Sequence, residues 1–405
     1  MNKKISLGLT LALVCVAVAI TASITMAVSM RSYNSIIKDL PSRSKLYSTV
    51  SELDDIIRNQ YYGEINDTLL SADISSGYAS GLGDRYSYHM TPAQYAIYKD
   101  ELLGKKIGVG IIPFYHPTEM VIYVAAISEN SPAAIAGLKK GDKILSVDEE
   151  NITAYNYKEI MKKITGGENL STVTLTYQRG QETPIHTSVV RGYNAQLMYS
   201  ALENNVGYIQ ITGFYKTTAS QLKDTIENLT KDGATSLIFD LRGCQKGTIA
   251  DAMSALDVLV PVAGEGSAAL ATTKAKDGTV KQTFTAEADS VSMPMEVLVD
   301  TQTSGPAELF ACDLRDYGMA QLIGEKTAGN GTVQQDFPLS DGGAIVLSTA
   351  LIEPYISEPY NNIGLTPDFA VELSTDKKTI LPILPFSDDD QYQKAYSLLI
   401  KSNEA

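Results

Sequence analysis

At 405 residues the chain has room for two or three domains of ordinary size. An apolar fraction of 44% with 15 prolines fits a folded globular body and excludes a disordered or fibrous one. The formal net charge of -14 would repel phosphate backbones, so nucleic acid is excluded as an expected partner.

At the N-terminus, Lys3 and Lys4 precede an uncharged stretch, 5–30, that ends at Arg31. A bilayer needs roughly 20 apolar residues to be crossed. Two lysines and the amino terminus outweigh Arg31, so residues 1–31 are expected to be a single-pass transmembrane signal-anchor in the cell membrane, with the bulk extracytoplasmic. A cleavable signal peptide is the rival reading, because Ala27-Val28-Ser29 offers small residues for processing. Cys15 follows Val14, which argues against a lipoprotein. Cys244 and Cys312 lack CxxC or Cys/His spacing, so no metal site and no disulfide framework are expected. A single bridge between those two stays open outside the cytoplasm.

Apolar residues at helical spacing (Leu46, Val50, Leu53, Ile56, Ile57) predict a helix over 45–62, and a second is expected over 68–82, before a turn at Gly83–Ser87. Together they read as a helical N-terminal cap, 32–103, that does not stand alone. From 104 to 191 the pattern turns β-rich. Strands are expected at 121–127, 143–147 and 171–178, with a short helix at 131–136 and an amphipathic one at 157–164. From 192 to 375 strands alternate with helices: apolar runs at 206–211, 236–241, 295–300 and 321–324, helices at 220–229, 249–259 and 307–317. That alternation predicts an α/β core on a mostly parallel sheet, with ligands at the loop ends of its strands. Residues 376–405, with the Asp388–Asp390 run, read as a solvated acidic tail. The chain has no internal repeat of solenoid length.

In the β-rich unit, Gly108-Val109-Gly110-Ile111 is followed by Ser131-Pro132-Ala133-Ala134-Ile135-Ala136-Gly137-Leu138 and by Gly141-Asp142-Lys143-Ile144-Leu145. This combination closely resembles the signature of a PDZ domain. Glycines permit backbone N–H groups to converge on a carboxylate. Gly108, Val109, Gly110 and Ile111 are therefore candidates for holding a peptide C-terminus, with Tyr157 and Ile160 on the groove helix.

A second resemblance runs in order from about residue 46 to 373. It begins at Leu82-Gly83-Asp84-Arg85-Tyr86-Ser87 with Thr91-Pro92, and continues at Gly207-Tyr208-Ile209-Gln210-Ile211, Asp240-Leu241-Arg242 and Asp316-Tyr317-Gly318. Further matches are Gly324-Glu325-Lys326-Thr327, Thr332-Val333-Gln334, Phe337-Pro338-Leu339-Ser340-Asp341-Gly342 and Gly364-Leu365-Thr366-Pro367-Asp368. The chain thus resembles the C-terminal processing peptidases, or tail-specific proteases, a family that cuts with a serine activated by a lysine. Histidines occur only at 89, 116 and 186, upstream of the α/β unit, which excludes a Ser-His-Asp triad inside it.

The resemblance implies a nucleophile in the stretch Asp300-Thr301-Gln302-Thr303-Ser304-Gly305-Pro306-Ala307-Glu308 and a base in Ala328-Gly329-Asn330-Gly331-Thr332-Val333-Gln334. With Glu308 matched to the family's glutamate, the nucleophile falls on Gly305 and the base on Asn330; the lysine-orienting glutamine is kept as Gln334. The oxyanion loop becomes Asp240-Leu241-Arg242-Gly243-Cys244-Gln245-Lys246-Gly247, in which Lys246 replaces a glycine and Gln245 a proline, with Gly247 retained. Gly305 has no side chain to attack with, and an amide has no basic lone pair near neutral pH. Ser304, Cys244, Lys246 and Lys326 are the residues from which a shifted site would have to be built.

The resulting expectation is a membrane-anchored, extracytoplasmic pseudopeptidase that binds C-terminal or unfolded segments of exported proteins. It needs no cofactor or metal. Two alternatives compete with it: an active serine-type endopeptidase with a rearranged site, and a partner of an active homologous peptidase.

Overall fold

Val206–Ile211, Ser236–Asp240 and Met295–Val299 are nearly all apolar and nearly all buried, and they form the centre of a six-stranded sheet in the computed structural model. The structure describes residues 44–403, apart from 106, 129–130, 195–197, 263–265 and 288–289, together with single residues between 16 and 30. The sheet runs Met198–Glu203, Val206–Ile211, Ser236–Asp240, Met295–Val299, Leu322–Gly324, Phe369–Ala370. Its first pair is antiparallel and every later pair is parallel. Runs buried on both faces are what a parallel sheet covered by helices requires.

Strand alternation divides the burial. Leu237, Phe239, Val297 and Val299 face a core completed by the helices Thr218–Lys231, Ile249–Leu256 and Pro306–Asp316. Ile238, Leu298 and Ile323 face the opposite way, where Tyr392, Ala395 and Leu399 of the helix Asp390–Asn403 cover them. This corrects the reading of residues 376–405 as a solvated tail. The acidic run hides an amphipathic pattern at 392, 395, 396 and 399, and Asp389 is not solvated but pairs with the buried Arg242 at 2.8 Å. Arg242 also holds Asp240 at 2.6 Å, so the Asp-Leu-Arg sequence fastens the last helix to the sheet.

A second, antiparallel sheet went unforeseen. Ala344–Pro354 pairs with Tyr88–Met90, Ala268–Lys274 and Thr332–Pro338, and Val280–Ala286 lies beyond Ala268–Lys274. Several of these strands are polar and half-exposed, Thr332–Pro338 above all, so they carry no apolar run to betray them.

The β-rich unit is an antiparallel sheet of Ile111–His116, Val121–Ile127, Lys143–Val147, Thr172–Gln178 and Ile185–Val190, with the helix Tyr157–Thr165 packed on its core. The chain divides into two compact units, Met1–Asp73 and Ile74–Ala405, so the boundary falls inside the segment read as a cap. Within the first unit residues 44–60 are helical. The anchor expected at 1–31 lies mostly outside the described residues; among those described, no helix is long and apolar enough to cross a membrane. Cys244 and Cys312 are both free and buried, which removes the bridge left open between them.

Candidate active-site cleft

Three neighbouring parallel strands deliver their following loops to one place, as the topology of such sheets dictates. Ser236–Asp240 leads into 241–247, Met295–Val299 into 300–305, and Leu322–Gly324 into 325–331. One carboxylate ties the first two loops together. Asp300 accepts from the backbone N–H of Gln302 (3.0 Å) and Thr303 (2.8 Å) in its own turn and from Gly243 (3.0 Å) in the neighbouring loop. The Thr303 hydroxyl donates to the Leu241 carbonyl at 2.9 Å.

Gly305 ends the second loop and caps the helix Pro306–Asp316 with φ +60° and ψ −113°, a conformation that disfavours any side chain. A Cβ built on it would lie 3.0 Å from Asn330 Nδ2. The two positions singled out in the sequence therefore face each other across the loops. Asn330 is buried, and both its amide nitrogen and its amide oxygen are hydrogen-bonded. It exchanges hydrogen bonds of 3.3 Å with the Gln334 amide, and its Oδ1 accepts from the Thr332 hydroxyl at 2.8 Å. Gln334 also donates to Thr332 Oγ1 at 2.7 Å.

What fixes Gly305 against Asn330 is Glu308, which sequence reasoning used only to set the register. It is fully buried. Its Oε2 accepts from Gly305 N–H (3.0 Å) and Asn330 N–H (2.8 Å), and its Oε1 accepts from Gly329 N–H (2.7 Å) and the Thr327 hydroxyl. Burial pushes its carboxyl up, and these donors pull against that shift. An acidic residue three places after a helix cap was the available signal. Arg85 reaches the Ala328 carbonyl, and Ser87 accepts from Ser348 N–H at 3.0 Å, so the turn at 83–87 is fastened to the third loop and to the strand Ala344–Pro354.

At the loop resembling an oxyanion hole, Lys246 and Gly247 pair in parallel with Gly213 and Phe214. A Cβ at Gly247 would lie 1.9 Å from the Phe214 carbonyl oxygen, with φ +112°, so only glycine fits there. The Lys246 ammonium lies 3.1 Å from both carboxylate oxygens of Glu101 on the helix Pro92–Leu102. A cavity of about 230 Å³ remains between these parts, lined among others by Tyr88, Tyr98, Lys246, Ser304, Asn330 and Gln334. Burial pushes the Tyr98 phenol up to about 12, which keeps it neutral.

The replacement nucleophiles fare unequally. Cys244 is wholly buried and burial pushes its thiol far up, so it carries no thiolate near neutral pH. Lys326 is exposed. Ser304 is 7% exposed, donates its N–H to the Cys244 carbonyl at 3.0 Å and lines the cavity.

In the β-rich unit, Gly108-Val109-Gly110-Ile111 is buried, and Gly110 takes φ +87°. The Val109 and Gly110 carbonyls accept from Ala133 N–H (3.0 Å) and Ser128 N–H (2.9 Å), which fastens the loop to the unit. Tyr157 stacks on Tyr115 with ring centroids 4.0 Å apart and planes 11° from parallel, so the chain's own aromatics bridge the helix and strand sides of the groove. Ile160 lies beneath them, fully buried in the core of the unit.

Known proteins carry the same organisation. Residues 205–371 match the model for peptidase family S41, and residues 105–185 match a PDZ domain. The chain is 28% identical over 386 residues to the carboxy-terminal processing protease CtpA of Bacillus subtilis, covering 95% of this chain and 80% of that protein. It is 28% identical over 330 residues to a carboxyl-terminal-processing protease of Synechocystis sp., covering 78% of this chain and 74% of that one. A putative S41 protease from Bacteroides fragilis superposes with a TM-score of 0.52 at 19% identity, over 85% of this chain and 92% of that chain, a likeness of fold.

Proposed function

We propose that this chain, which belongs to the C-terminal processing peptidases of family S41 and carries a PDZ domain, no longer cuts peptide bonds and instead holds peptide C-termini. The observation that carries this reading is the pair Gly305 and Asn330. Where the resemblance places a nucleophile there is no side chain, and where it places a base there is a buried amide hydrogen-bonded to Gln334 and Thr332. The frame around them is intact. Glu308, Asp300 and Gly247 hold the loops in position, and a cavity of about 230 Å³ lies between them. A site that keeps its scaffold and lacks its reacting groups suits retention of a peptide rather than its hydrolysis.

The peptides in view are C-terminal or unfolded segments of exported proteins, met at the outer face of the membrane to which the uncharged stretch 5–30 would anchor the chain. An extended peptide would add along the strand Ile111–His116, with its carboxylate at the Gly108–Ile111 loop. Tyr157 must leave Tyr115 for the peptide to enter between helix and strand. Measuring the binding of a panel of C-terminal peptides to the full chain, each with a free and an amidated carboxylate, tests the reading. Affinity that depends on the free carboxylate is expected, and binding indifferent to amidation overturns it.

A second reading, an active endopeptidase with a shifted site, draws on Ser304 and Lys246 lining the same cavity. Against it, the Lys246 ammonium is committed to Glu101, leaving Ser304 without a base. An active homologue as a subunit partner would be recovered by pull-down from the native membrane.

A further inference from the structure

Ten ångströms or so of helix separate the cleft from a polar cluster it does not use. At the far end of Pro306–Asp316, one ligand atom each from Cys312, Asp313 and Asp316 lie within 4.8 Å of one another. Cys312 and Asp313 are fully buried and Asp316 is half-buried. The Asp316 carboxylate is held in place by three donors: Ile356 N–H (2.9 Å), Ser357 N–H (2.8 Å) and the Ser357 hydroxyl (2.5 Å). Asp313 is different. Neither of its carboxyl oxygens has a hydrogen-bond partner among the described residues, and the Tyr355 N–H lies near it without bonding geometry. The hydroxyl of Tyr360, a residue 2% exposed, is likewise unpartnered. A buried carboxyl with no partner is costly, so its retention in a well-packed core calls for a ligand.

The geometry points to a divalent transition-metal site of the zinc class on Cys312, Asp313 and Asp316. The donor set decides the ion. A thiolate with carboxylates suits zinc, whereas calcium and magnesium select oxygen alone. Tetrahedral zinc with one sulfur and two oxygens sets its ligand atoms about 3.5 Å apart. Cys312 Sγ already lies 4.0 Å from Asp316 Oδ2, so closing the site asks for a small rotation of side chains. The bonds from Asp316 to 356–357 supply the outer shell that orients a ligating carboxylate. Binding replaces the S–H bond of Cys312 with an S–metal bond and releases its proton to solvent, with no change in oxidation state. Such an ion would stiffen the C-terminal end of the helix capped by Gly305, whose Asp316 already bonds the segment 356–357 leading to Asn362 and Gly364, against which Gly329 packs. It would brace the cleft from behind, and the assignment stands whether or not the cleft binds peptides.

The test is to incubate the purified full chain with zinc chloride, desalt it and measure metal by mass spectrometry, alongside cobalt substitution. One zinc per chain is expected, with a melting midpoint raised by roughly 5 °C at saturating zinc. Cobalt should give a thiolate-to-metal charge-transfer band. Asp313→Asn and Cys312→Ser should lose the metal and the thermal shift. Zinc retained equally by Cys312→Ser, or absence of the cobalt band in the unaltered chain, overturns the assignment; the cobalt arm needs no substitution and so survives any failure of the variants to fold.

Discussion

Placing a serine at 305 should destabilise the chain for two separable reasons, and a double-mutant cycle can divide them. The first is backbone. Gly305 holds φ +60° and ψ −113°, and a non-glycine residue in such a sparse region costs about 1–3 kcal/mol. The second is contact. The new Cβ would stand 3.0 Å from Asn330 Nδ2, so the amide must retreat by a few tenths of an ångström and weaken its 3.3 Å exchange with Gln334. Losing part of that pairing costs about 0.5–1.5 kcal/mol. Gly305→Ser alone should therefore cost about 2–4 kcal/mol. Asn330→Ala removes the obstruction but not the backbone strain, so the double variant should be more stable than the sum of the singles by about 1 kcal/mol. Urea unfolding of the four proteins measures both quantities. Additivity within about 0.3 kcal/mol would show that the two positions do not face each other as described, and a cost for Gly305→Ser below about 0.5 kcal/mol would refute the backbone strain.

Glu308→Ala strands four buried donors and should cost about 4 kcal/mol or more, with faster amide exchange at Gly329 and Asn330; unchanged exchange there would remove Glu308 from its bracing role. Burial, assisted by Asp368, raises the Glu296 carboxyl from 4.5 to about 7. Its folded form thus keeps a proton that the unfolded chain has lost. That contribution to stability is fully present below pH 4.5 and is lost as pH rises through 7, about 3 kcal/mol in all by pH 8. Glu296→Gln should flatten that slope in urea titrations at pH 5 and pH 8, and an unaltered slope refutes the assignment. Ending the chain at Asp388 uncovers one face of the parallel sheet and leaves Arg242 without Asp389, so the loss should exceed about 5 kcal/mol. Rapid proteolysis of the shortened chain is the expected readout, and native resistance would return residues 389–403 to the status of an appendage.

Much of this was legible before any coordinates. The buried runs at 206–211, 236–241 and 295–300 announced the parallel sheet because a strand covered on both faces must be apolar throughout. Gly305 and Asn330 could be paired by resemblance alone, and the loops of adjacent strands bring them together. Other features were written in weaker signals. Thr332–Pro338 joins its sheet through backbone pairing with Ala344–Pro354, which polar side chains neither reveal nor prevent. The last helix buries only a stripe, and three consecutive aspartates drew attention from it. The stacking of Tyr157 on Tyr115 joins residues far apart in sequence, and nothing local to either predicts a groove closed by its own rings. Glu308 serves two loops at once, a role visible only when both are in place.

The central claim is that a peptidase scaffold stands here without its chemistry. It meets its most direct test when the full chain is incubated with a serine-reactive fluorophosphonate and with unfolded protein and peptide substrates. No covalent adduct and no cleavage are predicted, because position 305 bears no hydroxyl and position 330 no base. A fluorophosphonate adduct at Ser304, or peptide fragments that disappear on Ser304→Ala, would contradict it.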